Sequence, residues 1–246
     1  MITMQRVRKA AGKHMSRAEL AVRSALGAPR ERHCPACRRD VVGFFRYGDE
    51  AEWGCLDCGA SPRERLMHYL LDEGVIALPA FCAVLHCAPG EASLIERFRA
   101  HAGDYVPADI DPSRYAVPGV QRLDLMAMTD RERFDRIYAS HVMEHVPDDA
   151  MVLRNLLRAL KPGGEAWLLV PLWDRPSEDG PLDLPARERE RRFGQWDHVR
   201  QYGRDFAERI RAAGFEVDLI DAAAQPPQAV QRMALADTLF RARRPA

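Results

Sequence analysis

FDRIYASHVMEHVPDD (residues 134–149) and LRALKPGGEAWLLVP (residues 157–171) together decide the fold. They read as a strand over Phe134–Ser140, a Glu-His pair, a helix over Asp148–Leu160, and a KPGG turn into a second strand over Glu165–Pro171. Short apolar runs bounded by breakers indicate buried strands, and a helix between two of them makes a parallel crossover unit.

The same alternation extends in both directions. Further strands are expected at Phe81–His86, Asp104–Asp109, Val120–Asp124, Glu216–Asp221 and near Ala234–Arg241, with helices at Ala92–His101 and Arg204–Ala213. Seven strands interleaved with helices imply an α/β fold with a doubly wound, mostly parallel sheet. Residues 173–200 interrupt the pattern with Pro- and charge-rich sequence. An insertion after a late strand belongs at the ligand-binding edge of such a sheet. Before residue 81, residues 1–28 read as one or two amphipathic helices with Val7, Ala10, Ala11, Leu20, Val22, Ala25 and Leu26 as apolar positions, and residues 64–78 as another helix. The expected division is an N-terminal module over 1–65 and a larger domain over 66–246, the latter with a lid-like insertion at 173–200.

Between those helices lie Cys34-Pro-Ala-Cys37 and Cys55-Leu-Asp-Cys58. Two CxxC knuckles at this spacing bring four thiolates into a tetrahedron around zinc, so Cys34, Cys37, Cys55 and Cys58 are the expected ligands of a small zinc ribbon. So small a unit lacks a core of its own, and metal ligation supplies much of its folding free energy. Cys82 and Cys87 read as small core residues on the first strand of the larger domain.

Leu85-His-Cys-Ala-Pro-Gly-Glu91 ends a strand and precedes a helix, where a nucleotide-type cofactor needs close backbone approach. Asp109 follows Gly90 by 19 residues, at the end of the second strand, where a carboxylate accepts hydrogen bonds from ribose hydroxyls. With LHCAPGE (85–91), ADIDP (108–112), RLDLM (122–126) and the two opening stretches, residues 81–221 resemble the class I S-adenosylmethionine (SAM)-dependent methyltransferases, particularly the type 11 group. The resemblance implies a Rossmann-like fold and SAM as cofactor. It implies cofactor contacts from Ala88 and Gly90 through backbone, from Asp109 to ribose, from Asp124 and Leu125 to adenine, and from Ser140 and His141 beside the sulfonium. His86 stands where the family carries an acidic residue and is counted with the cofactor site.

On the acceptor side, Glu144 and His145 are expected at the floor of the site, with Gln195, Trp196, Arg200 and Tyr202 of FGQWDHVRQYG (193–203) forming a lid. His141 and His198 are candidate general bases because an imidazole titrates near neutral pH, with Asp197 as an orienting carboxylate. His141-Val-Met-Glu144-His145 also fits an inverted zinc-protease pattern, but Pro147 ends any long helix there and the methyltransferase context explains it better.

Composition frames these readings. The 246 residues carry 36 basic and 36 acidic side chains and 47% hydrophobic residues, enough for an ordinary core. Residues 1–65 hold 13 Lys/Arg against 8 Asp/Glu, a mildly basic front end. No apolar run reaches membrane-spanning length and no signal-peptide pattern is present, so a cytoplasmic protein is expected. The leading reading is methyl transfer to a small-molecule acceptor, such as a metabolite, natural product or sugar-linked compound. The alternatives are an rRNA-type methyltransferase using the ribbon to recognise nucleic acid, and a non-catalytic protein that kept the fold.

Overall fold

The computed structural model describes the backbone of residues 4–246, with side chains from residue 10 onward. The expectation of helix over residues 1–3, and the apolar role of the Val7 side chain, lie outside the described residues. The chain forms two compact units: residues 1–77 with 91–96 and 221–237, and residues 78–90 with 97–220 and 238–246. This division differs from a break at 65/66, which would cut through a single continuous helix.

The first unit opens with helix α1 (Met4–Ala25), followed by two antiparallel hairpins, β1 (Arg32–Cys34) with β2 (Arg39–Val41) and β3 (Phe44–Tyr47) with β4 (Glu50–Cys55). Helix α2 (Pro62–Asp72) starts at a complete capping box. The Ser61 hydroxyl accepts from the Glu64 amide, the Glu64 carboxylate accepts from the Ser61 amide at 2.9 Å, and Pro62 occupies a position whose amide is not needed. One turn in, fully buried Arg65 organises the unit. Its guanidinium donates to the carbonyls of Glu52, Trp53, Ala60, Met233 and Ala234 at 2.7–3.1 Å. The same group lies 3.8 Å over the Phe44 ring. One side chain thereby satisfies carbonyls from β4, the second cysteine knuckle and the C-terminal end of helix Pro227–Met233.

The second unit carries the large sheet. Its elements are β5 (Cys82–Cys87), α3 (Ala92–His101, whose first turns belong to the other unit), β6 (Ala102–Asp109), β7 (Gln121–Arg122), β8 (Phe134–Ser140), α4 (Asp149–Ala159) and β9 (Leu160–Leu169). The short β10 (Glu178–Asp179), α5 (Ala186–Phe193), β11 (Arg200–Gln201), α6 (Phe206–Ala212), β12 (Glu216–Asp221) and β13 (Thr238–Arg243) follow. The seven-stranded sheet has the order β12-β13-β9-β8-β5-β6-β7. Pairs β5–β6, β6–β7, β5–β8 and β8–β9 are parallel, and β13 is antiparallel to β9. The chain winds outward from β5 to β7 and returns at β8 on the other side of β5. That reversal makes the β5/β8 boundary the topological switch point, where α/β sheets bind ligands.

One face packs Leu85, Ile137 and Leu168 with Leu153 and Leu156 of α4 and Phe206 and Ile210 of α6, all fully buried. Each such side chain contributes about 1.5–3 kcal/mol. The opposite face holds an aromatic layer of His86, Phe98, Tyr105 and Tyr138. Strand β7 is shorter than the expected Val120–Asp124 because it lies at an exposed edge, and β13 begins at Thr238 because Ala234 and Asp237 take left-handed backbone (φ 46° and 84°). Among the described residues, no helix is long and apolar enough to cross a membrane.

Replacing Arg65 by Met would leave five carbonyls without their donor. Chemical denaturation of the Arg65→Met variant is expected to show a loss of about 3 kcal/mol or more, and an unchanged midpoint would contradict this role.

Candidate functional site

Both strands at the switch point leave the sheet through a strained residue. Ala88 after β5 has φ 51° and His141 after β8 has φ 55°, each costing of order 1 kcal/mol for a non-glycine residue. The Ala88 amide donates to Ala108 (2.9 Å), and the Gly90 amide donates to Ala88 (2.8 Å), closing a tight turn around Pro89. These amides are already used, so this turn offers a ligand bare backbone surface rather than amide donors. A Cβ built on Gly90 would meet only the Ala88 carbonyl, at 3.9 Å, so the space above the turn is open. The Ser140 hydroxyl is buried at the end of β8 with no hydrogen-bond partner in the described structure. An orphaned hydroxyl beside an open turn is what a polar cofactor would satisfy.

Asp109 ends β6, the next strand along. Its Oδ1 accepts from the Asp111 amide (2.7 Å) and its Oδ2 from the Tyr115 hydroxyl (2.8 Å). Two bonds fix the carboxylate and leave lone pairs on both oxygens for ribose hydroxyls. Asp124 is exposed and accepts from the Met126 amide at 2.9 Å, while Leu125 beside it is buried. His86 does not face this crevice. It is fully buried on the aromatic side of the sheet, with Nδ1 2.9 Å from the Tyr105 hydroxyl. Strand alternation is the reason, since Leu85 and Cys87 take the opposite face.

Beyond β8, a short helical turn (Met143–His145) and the end of the insertion bring five polar groups together. His141 Nδ1 lies 3.5 Å from Glu144 Oε1, His198 Nε2 lies 4.0 Å from the same oxygen, and His145 Nδ1 lies 3.5 Å from Asp197 Oδ2. The His145 and His198 rings meet edge to face at 4.7 Å. Asp197 thus sits against His145 rather than orienting His198. His198 instead donates from Nδ1 to the Phe193 carbonyl (2.8 Å), and its Nε2 receives the Gln195 amide at 2.8 Å. Burial pushes the pKa of both His145 and His198 down, and the neighbouring His145 lowers His198 further.

The structure puts Arg200 and Tyr202 to a different use from acceptor binding. Buried Arg200 donates to the carbonyls of Met143, Val146 and Pro147 and to Asp179. The Tyr202 hydroxyl donates to Asp149 at 2.9 Å. Arg209 joins Asp149 (3.0 Å) and Asp179 (2.6 Å). With the β10–β11 ladder and the Val199 amide donating to Glu144, these bonds fasten the base of the insertion to the loop after β8. Asp149, Asp179 and Arg209 carry this network and have no local sequence signature, since their partners lie 21–60 residues away. Gln195 and Trp196 stay exposed at the tip.

In the first unit the four cysteine sulfurs converge. Cys34–Cys58 and Cys37–Cys55 are 3.7 and 3.9 Å apart, and all four ligand atoms lie within 4.8 Å of one another. A zinc ion bound at about 2.3 Å by four thiolates requires edges of about 3.8 Å. Backbone amides of Asp57 and Cys58 point at the Cys55 sulfur, as a knuckle does to stabilise a thiolate. The residues therefore fit a tetrahedral metal. Cys87 is a core thiol that burial pushes up to about 12.

Comparison with known proteins fits this geometry. A family model described as a methyltransferase domain matches residues 55–220. The chain belongs to this methyltransferase family. It is 33% identical over 146 residues to trans-aconitate 2-methyltransferase of Azoarcus sp. (strain BH72), a match covering 56% of this chain and 53% of that protein. A second trans-aconitate 2-methyltransferase, from Methylobacterium nodulans, is 27% identical over 132 residues, covering 51% and 46% of the two chains. The chain thus spans about half the length of the curated relatives it matches. Among solved structures, the [4+2]-cyclase SpnF superposes with a TM-score of 0.52 at 18% identity, over 99% of this chain and 97% of that one. That likeness shows the fold, and a cyclase on the same fold shows that chemistry must be argued from the site.

The ends of β5, β6 and β8 fit an adenosyl cofactor through the bare turn at Ala88–Gly90, the carboxylate of Asp109 and the hydroxyl of Ser140. Calorimetric titration with S-adenosylhomocysteine is expected to show at least about ten-fold weaker binding to Asp109→Ala than to the unaltered chain, the worth of a charge-assisted hydrogen bond. Equal affinities would remove Asp109 from the ribose.

Proposed function

We propose that this chain is a SAM-dependent methyltransferase acting on a small-molecule acceptor, with a zinc ion held by Cys34, Cys37, Cys55 and Cys58 in a structural ribbon. The observation that carries the acceptor side is the fastening of the insertion to the loop after β8. The Val199 amide and the Arg200 guanidinium bond the insertion to the carbonyls of residues 143–147, so imidazoles and carboxylates from both segments are gathered beside the end of β8. A few convergent polar groups on an ordered wall suit a small molecule better than a polymer. The relatives named for methylation of trans-aconitate support the same class of acceptor.

SAM, when bound, supplies an activated methyl group whose departure leaves a neutral thioether. The rest of the chemistry belongs to the chain. Asp109 would hold the cofactor's ribose, the backbone at Ala88–Gly90 would lie against its amino-acid end, and the Ser140 hydroxyl would give it a hydrogen-bond partner at the end of β8. An acceptor whose reacting atom carries a proton must give that proton up on methylation. His141 takes it at Nε2, since its Nδ1 is turned toward Glu144 and its side chain is partly exposed at the crevice. Leu125 lines the adenine side, and Gln195 and Trp196 at the exposed tip meet the incoming acceptor.

Recognition of RNA by the ribbon has less support. The rings of Phe45, Tyr47 and Trp53 lie 5.1–5.6 Å from Nζ of Lys13 of α1, so a cation of the same unit occupies one side of the cluster on which bases would stack.

Incubation of the full chain with methyl-labelled SAM and a cell extract, followed by separation of small molecules from RNA, is expected to place label in the small-molecule fraction. The His141→Ala variant should lower kcat about 100-fold with a smaller change in KM. Label confined to RNA would overturn the acceptor class, and failure of a folded chain to bind SAM would overturn the enzyme.

A further inference from the structure

We propose that Glu144, His145 and His198 form a second metal site, which takes a divalent transition-metal ion at the acceptor side of the crevice. One ligand atom from each of these three residues lies within 4.8 Å of the others. They come from two separate segments, the turn after β8 and the end of the insertion. Two imidazoles and a carboxylate on one side of an ion, with its other positions open, suit iron, cobalt, manganese or zinc rather than the all-oxygen preference of magnesium or calcium.

Three features go beyond proximity. His198 is oriented by a hydrogen bond from Nδ1 to the Phe193 carbonyl, which fixes the tautomer and leaves the Nε2 lone pair facing Glu144. Metal-binding histidines are normally held by such an outer contact. The Asp197 carboxylate lies 3.5 Å from His145 Nδ1, so that nitrogen faces a charge partner and Nε2 is the one left to ligate. Glu144 contributes a fully buried carboxylate beside both.

The fit requires a small contraction. Ligands held about 2.1 Å from an ion lie about 3.0–3.4 Å apart, and His198 Nε2 to Glu144 Oε1 is 4.0 Å. A modest side-chain rotation closes that difference. The exposed Gln195 amide, which donates into His198 Nε2, would be displaced by the ion. Gln195 is thus a competitor for the site, not a ligand.

Glu144 and His145 follow directly on the end of β8, where the methyl acceptor is placed by the proposed function, and this part of the inference rests on that reading. The acceptor class it selects carries two adjacent oxygen donors, such as a vicinal diol or an α-hydroxy acid. Chelation would orient one oxygen toward the methyl group and lower its proton affinity, while His141 remains outside the ligand set to take the proton.

The test is direct metal binding by the full chain, without SAM or acceptor, so that its failure leaves the methyltransferase reading untouched. Protein carrying one zinc in the ribbon is titrated with Co2+ and followed by calorimetry and visible absorption. One further ion per chain is expected. His145→Gln should weaken that binding at least about ten-fold, Gln195→Ala should retain or tighten it, and Cys34→Ser should lose the ribbon zinc but keep the cobalt. His145 is half-buried, so its Gln variant tests the site without opening the core as a change at His198 would. No further ion, or cobalt binding untouched by His145→Gln, overturns the site. Addition of oxalate, a bidentate oxygen probe, should shift the cobalt absorption. An unshifted spectrum would remove the chelating acceptor class.

Discussion

The parallel pairing of β5 with β8 is the constraint from which the rest of the second unit follows. These strands are neighbours in space but are separated in the chain by the outward path through β6 and β7. Their carboxyl ends diverge at one point, and both leave the sheet through left-handed backbone at non-glycine residues, Ala88 and His141. Strain of this kind persists only where surrounding packing over-determines it. Here the fully buried layer of Leu85, Ile137 and Leu168 against α4 and α6 supplies that rigidity. The polar groups that matter are therefore presented by stiff strand ends rather than by mobile loops.

A second layer of organisation comes from arginines used as backbone clamps. Arg65 gathers five carbonyls in the first unit, and Arg200 gathers three in the second while pairing with Asp179. Desolvating a guanidinium is costly, and it is stable inside a protein only when its donors are satisfied. Each clamp therefore demands one local geometry. Arg200 in particular fixes the loop after β8 to the insertion, which converts a Pro- and charge-rich stretch into an ordered wall of the site.

Much of this architecture is legible in the sequence. Phe134–Ser140 and Glu216–Asp221 are strands as read, and Ala92–His101 is a helix as read, because their apolar spacing and flanking breakers agree with the burial they meet. The cysteine spacing carries its own geometry, and the four sulfurs converge. The family resemblance of residues 81–221 agrees with the match over 55–220. What the sequence hides is direction and long-range pairing. His86 lies near the carboxyl end of β5, beside the cofactor turn, but alternates to the aromatic face. Arg200 and Tyr202 look like acceptor contacts, yet their partners Asp179 and Asp149 are 21 and 53 residues away. The strings HVMEH and WDH are each visible, but only the fold brings Glu144 and His145 beside His198.

The account stands or falls on where the cofactor lies. A crystal structure of the full chain with S-adenosylhomocysteine tests this most directly. The account predicts ribose hydroxyls on Asp109, the thioether sulfur above Ser140 and His141, and no contact with His86. A nucleoside bound elsewhere, or one whose sulfur points away from the end of β8, would contradict it.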